Sequence, residues 1–391
     1  MSNNAHLPYG HLLRDMSIAI IGGGPAGLTL ARLLQMRGVE VTVFERDASP
    51  AARSQGGSLD LHEGSGQKAL RAAGLEQFFL RAARRDGQNT RIFDKDGTQL
   101  IELDAESEER SRPEIDRGDL RNLLLNSLKP GTVEWDKRLL EVRQAEEGSS
   151  TLRFENDVVS ADLIIGCDGP WSKVRHLVSE ITAPAYTGVV FVQTIIKDVD
   201  SRYPEITRLV GPGNILVLHA GKGLLAQRNG DGSVRIYVAL KAAEKWPEIS
   251  GLREASPADA RKALLPLFDG WSPQMVGLLR CSDDWFQPWP LYAYPADQMW
   301  MPHHRVTLLG DAAHIMPPFT GQGANFAMLD ALELADALTS GQAASLGAAL
   351  TEFEYGMLSR MEEAVAETLG TQELMFSDDS PASLLNTIKG G

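Results

Sequence analysis

The residues best placed to do chemistry are glycines. Gly22-Gly23-Gly24-Pro25-Ala26-Gly27 follows an apolar run, Ser17-Ile18-Ala19-Ile20-Ile21, and opens a helical pattern that reaches Arg37 and closes at Gly38. A second strand candidate, Val39 to Phe44, ends in Glu45. Strand, G-x-G-x-x-G, helix, strand and an acid about 20 residues on is the arrangement that holds a dinucleotide. Gly22 permits a tight turn, Gly24 lets the backbone approach a pyrophosphate, and Gly27 lets the helix sit close to the strand. The unpaired N–H groups and positive dipole end of the helix face the phosphates. Glu45 can accept from a ribose diol. A lone glycine motif is weak, but here every flanking element agrees.

Two more motifs follow apolar strands. Ile164 to Arg175 reads IIGCDGPWSKVR and puts Asp168 at a strand's C-terminal end, where α/β proteins bind ligands. An Asp-Gly turn with Ser172 capping a following helix explains the same residues equally well. Leu309 to Asn325 reads LGDAAHIMPPFTGQGAN and puts Asp311 in the equivalent place. Its small residues and prolines, Pro318 among them, make a rigid loop that a flat ligand can approach. The backbone from Gly321 through Gly323 to Asn325 opens a helix, so its N–H groups can face an electron-rich ring edge. His314 reads as structural, since no serine, cysteine or metal-ligand partner stands at useful spacing. No catalytic acid–base residue and no metal is expected.

The elements that position these motifs alternate strand and helix, then change texture. Residues 1–16 read as a loose preface. A helix is expected from about Gly64 with Ser65 as its cap, and another from Asp116, as cap, to Leu128, stopped by Pro130-Gly131. Strands are expected over 132–136, 138–143, 151–155 and 162–166. Residues 182–294 alternate like antiparallel strands, with a hairpin turn at Asn229-Gly230-Asp231-Gly232 and one helix, Pro257 to Phe268. A strand over 305–310, a helix over about 324–338 and a long helix over 346–375 follow. The expected fold is α/β: a Rossmann-like nucleotide domain (1–181, returning over 296–340), an inserted β-rich substrate domain (182–295) and a C-terminal helix (341–391).

Composition narrows the function. The 391 residues are 43% hydrophobic and 23% charged, ordinary globular usage. A net charge of −14 argues against nucleic acid as a partner. Cys167 and Cys281 stand far apart, which disfavours a disulfide framework, a thiol oxidoreductase and a zinc ribbon. The first 16 residues lack the apolar core of a signal peptide, and no run of about 18 apolar residues predicts a membrane span. A cytoplasmic monomer is expected.

The three motifs, in this order, resemble the flavin monooxygenases built on the p-hydroxybenzoate hydroxylase fold. From about Ser17 to Met375 the chain looks most like the Tet(X)-type tetracycline-degrading monooxygenases. The segments that carry this are Glu45-Arg46-Asp47, Gly56 to His62, Pro113 to Arg121 and Met316 to Phe319 with Gly321-Gln322-Gly323. The resemblance implies FAD contacts from Arg46, Asp60, Arg117 and Asp311, and an Asp168-Gly169 motif reached by both FAD and NAD(P)H. It implies that Arg53 serves NADPH and that Gln193, Phe319 and Met375 contact substrate. It differs at the pocket sheet: Asn214 or Ile215 stands for an arginine, Leu225 and Gln227 for a phenylalanine and an asparagine, and Arg235 for a histidine. Arg235 is therefore expected to orient an anionic substrate group. The implied reaction is NADPH-driven hydroxylation of a planar polycyclic phenol or enol, such as a tetracycline, by O2 through a flavin C4a-hydroperoxide. NADPH would be transient, as no second full nucleotide fingerprint is present. An aromatic or polyketide hydroxylase with another main substrate, an oxidase or reductase on the same scaffold, an NAD-dependent dehydrogenase and a non-catalytic flavin- or drug-binding protein are the alternatives.

Overall fold

The computed structural model describes residues 11–53, 55–103, 112–144 and 148–390; residues 1–10 of the preface lie outside them. In chain order the elements are β1 (Ile18–Ile21), α1 (Pro25–Met36), β2 (Thr42–Phe44), β3 (Ser58–Asp60), α2 (Lys68–Ala72), α3 (Glu76–Ala82), β4 (Thr90–Phe93), β5 (Gln99–Leu103), β6 (Glu114–Asp116), α4 (Arg117–Asn126), β7 (Val133–Glu134), β8 (Leu139–Arg143), β9 (Ser150–Phe154), β10 (Val158–Ala161) and β11 (Leu163–Gly166). There follow β12 (Ala185–Ile196), α5 (Val199–Arg202), α6 (Pro204–Val210), β13 (Asn214–His219), β14 (Lys222–Arg228), β15 (Val234–Lys241), α7 (Trp246–Ile249), α8 (Pro257–Leu264), α9 (Pro273–Arg280) and β16 (Gln287–Ala293). The chain ends with β17 (Val306–Leu308), α10 (Asp311–His314), α11 (Gln322–Thr339), α12 (Leu346–Met375) and α13 (Ala382–Gly390).

A parallel sheet runs β17-β11-β1-β2-β7. β1 and β11 are buried at every residue, which is why they read as unbroken apolar runs rather than alternating ones. Strand β17 completes this sheet only after β12 to β16 have formed another. That second sheet runs β16-β12-β15-β14-β13-β4-β5 and is antiparallel except where β13 meets β4. One of its faces packs on α6, α8 and α9 through Val192, Ile236, Val238, Leu209, Leu264 and Leu279. The opposite face looks toward the parallel-sheet region. A two-stranded ribbon, β3 with β6, lies between the two sheets in sequence and carries Asp60 at one end and Arg117 just past the other.

Several expectations are corrected. Residues 90–103 supply β4 and β5 to the second sheet, so sheet membership crosses the expected boundary at 181. Ser65 caps nothing: a π-helical turn over Glu63–Gln67 starts after His62, and the buried Ser65 hydroxyl faces Asn325 Oδ1 (3.3 Å). Asp116 does stand at the N-cap of α4, but its carboxylate takes Arg84 and the Gly230 N–H instead of the helix. After Ser172 the helix is a single 3₁₀ turn, Arg175–Leu177, whose Val174 and Arg175 N–H groups Ser172 Oγ does accept (both 3.1 Å). The helix expected over 257–268 breaks after Leu264 into a 3₁₀ turn containing Pro266, which has no N–H to continue it. Helices α6 and α9 were not anticipated. Each is one or two turns long and starts with proline, too short for a helical period to emerge from its surroundings.

Candidate functional site

The glycine motif is held by backbone contacts. Gly22 has φ +108, and a Cβ there would lie 2.2 Å from the Cys167 carbonyl oxygen at the end of β11. A Cβ on Gly27 would lie 2.1 Å from the Gly22 oxygen, so α1 rests directly on the turn. At Gly24, the N-cap of α1, a Cβ would meet nothing within 4 Å. The open side of the loop is thus the side where the first N–H groups of α1 have no helical partners. Glu45 does more than wait for a ribose. Its Oε2 accepts the Gly23 N–H (2.6 Å) and its Oε1 the Asp47 N–H (2.9 Å), which locks the loop to the end of β2.

Two of the expected cofactor-binding cations, Arg46 and Arg117, have no acid partner among the described residues. Arg46 is exposed. The Arg117 side chain packs on Gly56, and its charge reaches both Asp311 and Tyr237. Asp311 is exposed at the first position of α10. Crowding pushes its carboxyl up, while His314 and Arg117 pull it back. Asp60 Oδ2 pairs with His62 Nε2 (3.0 Å), and its carboxylate lies against Gly321 at the start of α11. Pro318 is exposed in the 3₁₀ turn Pro318–Thr320, and Gly323 has open space beside its Cα.

Arg53 is half-exposed and donates to Asp47 (3.0 Å), which also binds the buried Arg121 (3.1 Å). It stands at a groove of about 790 Å³ together with Arg84, Asn122 and Gly230.

Other expected site residues are engaged elsewhere. The Asp168 carboxylate accepts the Ser172 hydroxyl (2.5 Å) and the Lys173 N–H (2.7 Å), so the turn reading describes its side chain. Burial pushes this carboxyl up and those two donors pull it back. Gly169, with φ +84 and open space, is what the turn presents outward. The Asn325 amide joins two segments: it donates to Asp60 O (2.8 Å) and Gly321 O (3.0 Å) and accepts the His62 N–H (2.8 Å). Only its backbone remains available to a ligand. His314 Nε2 bonds Asp330 Oδ2 (2.5 Å), and Asp330 also takes the Gly310 N–H (3.1 Å) and Arg360 (2.8 Å). Burial favours a neutral Asp330, but His314 and Arg360 outweigh it and hold the carboxyl low. This buried cluster pins the Gly310-Asp311 loop to α11 and α12.

On the second sheet, strand pairing sorts the substrate candidates into rows. Asn214, Gln227, Arg235 and Ile195 align across four strands. Leu216, Leu225, Tyr237, Gln193 and Gln287 form the next row on the same face. Leu218, Gly223, Ala239, Phe191 and Trp289 form the third. The first row braces the ribbon that carries Asp60 and Arg117. Arg235 donates to Gly56 O (3.2 Å), Gln227 accepts the Ser58 N–H (3.2 Å), and Asn214 donates to Glu114 (2.9 Å). Arg235 is only 6% exposed. The substrate-orienting arginine expected from the sequence is therefore an under-side support of the Gly56-Gly57 turn. The third row is aromatic: Phe191 meets Phe319 (5.8 Å) and Trp289 (6.2 Å) edge-on. Met375 does not line open space; it is 3% exposed in the cluster beneath Phe319 and Phe376. Tyr237 and Trp289 were not singled out by sequence. The period-two step from Arg235 to Tyr237 was the available signal.

This fold and site define a flavin-dependent class. The chain belongs to the FAD-binding-domain family, whose model matches residues 15–346, and it carries the class A flavin monooxygenase fold. It is an FAD-dependent monooxygenase of the aromatic-hydroxylase type. It is 30% identical to monooxygenase penA of Penicillium thymicola, over 96% of this chain and 99% of that protein. It is 31% identical to the 3-amino-4-hydroxybenzoate 2-monooxygenase PtmB3 of Streptomyces platensis, over 88% and 85%. Klebsiella pneumoniae HpxO, solved with FAD and uric acid, superposes with a TM-score of 0.76 at 21% identity, over 97% of this chain and 93% of that one. Tetracycline destructase Tet(51) superposes at 0.71 with 19% identity, over 96% and 95%. The likeness to the tetracycline enzymes is thus one of fold. Among the described residues no helix is long and apolar enough to cross a membrane.

Proposed function

We propose that this monooxygenase hydroxylates a planar, oxygen-bearing polycyclic aromatic or polyketide, using NAD(P)H as transient reductant and O2 as oxidant. The observation that carries this reading is the second sheet's inward face. Its aromatic row (Phe191, Trp289, with Phe319 above) suits flat rings, and the neighbouring row adds three polar residues, Tyr237, Gln193 and, on the edge strand, Gln287, beside two leucines. The 30–31% identical relatives carry names other than tetracycline enzymes, which favours another main substrate with tetracyclines accepted weakly.

The residues fit FAD. The open side of Gly24 and the N-terminus of α1 would take the pyrophosphate, with Arg46 beside it and Glu45 at the ribose. Arg117, lacking an acid partner, Asp311 and the Gly321–Asn325 backbone would hold the flavin end. Bound there, FAD supplies the electron transfer and oxygen activation that no side chain can. The protein's own work is to hold the substrate rings against the aromatic row, keep water out and orient the oxygen-bearing edge. Arg53 and Arg84, at the polar groove, would meet the phosphates of the reductant; the groove has the volume of an ordinary ligand site.

The test is NADPH and NADH oxidation by the FAD-loaded protein over a panel of polycyclic phenols, tetracycline and 3-amino-4-hydroxybenzoate, with mass spectrometry for one added oxygen. Oxygenated product from a polycyclic phenol supports the reading. Substrate-independent NADPH oxidation with no oxygenated product from any member would sink it.

A further inference from the structure

With Arg235, Gln227 and Asn214 bound to the ribbon, and Phe319, Phe376 and Met375 packed at the other end, one polar pair is left in the middle of the inward sheet face. Gln193 on β12 and Tyr237 on β15 stand directly opposite each other. Directly opposed residues have Cβ atoms about 5 Å apart, so one small polar group can meet both. The Tyr237 ring is held in place by Phe191, with centroids 5.4 Å apart. Its hydroxyl has no hydrogen-bond partner among the described residues. The residue is partly buried: crowding pushes the phenol up, and Arg235 and Arg117 pull it back. A hydroxyl without a protein partner on a partly exposed residue is free to donate to a ligand oxygen. The two arginine charges nearby favour a ligand oxygen that carries negative charge.

We propose that Tyr237 is the specificity-determining hydrogen-bond donor of the substrate chamber. With Gln193 it takes the phenolic or enolic oxygen of a flat aromatic substrate whose rings lie along Phe191 and Trp289. This rests on the monooxygenase reading above and names the group by which that site selects its substrate. It also separates the roles of two neighbours in one strand: Arg235 holds the cofactor-side ribbon, and Tyr237, two residues on, addresses the substrate.

The experiment compares FAD-loaded wild type with Tyr237→Phe, reading ligand binding from the flavin absorbance spectrum. The probes are matched pairs that differ by one hydroxyl, naphthol with naphthalene and hydroxyquinoline with quinoline. The wild type should prefer the hydroxylated member by about tenfold or more, the ratio that one hydrogen bond of about 1.4 kcal/mol gives. Tyr237→Phe should bind both members alike, with FAD affinity and melting temperature unchanged. Gln193→Leu should weaken the same preference from the opposite strand. A preference that survives in Tyr237→Phe overturns the role of Tyr237 while leaving the monooxygenase reading intact. A wild-type spectrum moved by no probe overturns the substrate class and this proposal with it, and that failure shows in the wild type rather than in the variant.

Discussion

The two sheets do different kinds of work with different parts of the chain. In the parallel sheet, the site depends on where the backbone lies: Gly22 against Cys167, Gly27 against Gly22, Gly24 facing open space. In the antiparallel sheet, it depends on which way side chains point and which neighbour claims them. Arg235 and Tyr237 lie on one face of one strand, yet one is bonded to Gly56 and the other has a free hydroxyl. Backbone constraints admit almost one residue type, whereas a sheet face admits many. The comparison predicts that cofactor-side variants act through sterics and substrate-side variants through single hydrogen bonds.

The largest expected effect is Gly27→Ala. Its Cβ would meet the Gly22 carbonyl at 2.1 Å, and neither backbone segment can yield without moving α1 off the turn. We expect a loss of more than about 3 kcal/mol of stability, seen as aggregation or a much lower melting temperature. Gly24→Val separates cofactor from scaffold. The structure has room for the new side chain, so the apoprotein should melt within a few degrees of wild type. Bound FAD should be lost, because the side chain occupies the approach to the α1 N-terminus. A variant that still purifies yellow with wild-type affinity would place the pyrophosphate elsewhere.

The same contrast explains what was legible in the sequence. The Gly22–Gly27 motif, the apolar strands β1 and β11, and helices α11 and α12 could be read because each follows from local sterics and uninterrupted patterning. The positions of Asp168 and Asp311 could be read too, but not that Asp168 is clamped by Ser172 and Lys173. Asn325 looked like a ligand residue because it opens a helix; besides one local bond to Gly321 O, four of its hydrogen bonds reach residues 60–66, more than 250 residues away and beyond any local pattern. On the second sheet the strands were visible from alternation, but the claim of the ribbon on Asn214, Gln227 and Arg235 was not.

The parallel-sheet region also keeps an ionisable group inside. Glu354 on α12 is 2% exposed and accepts the Thr307 hydroxyl of β17 (2.7 Å). Burial pushes its carboxyl up to about 7 from the ordinary 4.5, and Thr307 only partly offsets this. Between those values the native state holds a proton that the unfolded chain releases. Glu354's contribution to stability is therefore greatest below pH 4.5, falls as pH rises through 7 and levels off above it. The total loss is up to about 3 kcal/mol. Glu354→Gln stays neutral, so its stability relative to wild type should grow across that window. A difference in melting temperature that does not change with pH would show that Glu354 is not held neutral.

The smallest effect is the most discriminating. Arg235→Ala removes a donor to Gly56 O from beneath the ribbon that carries Arg117. A hydrogen bond from a charged group is worth about 1.5–3 kcal/mol, and part of that will appear as weaker FAD binding when the Gly56-Gly57 turn relaxes. Substrate preference between anionic and neutral probes should change less than FAD affinity does, since the side chain faces the turn and only its charge reaches Tyr237. Titration of the apoprotein with FAD, followed by substrate titration at saturating FAD, reads the two quantities separately. If FAD affinity stays the same and anionic substrates weaken, Arg235 belongs to the substrate after all, and the division between a bracing row and a binding row on this sheet fails. If FAD affinity alone falls, β15 serves both ligands, with alternate residues divided between them by what lies over each row.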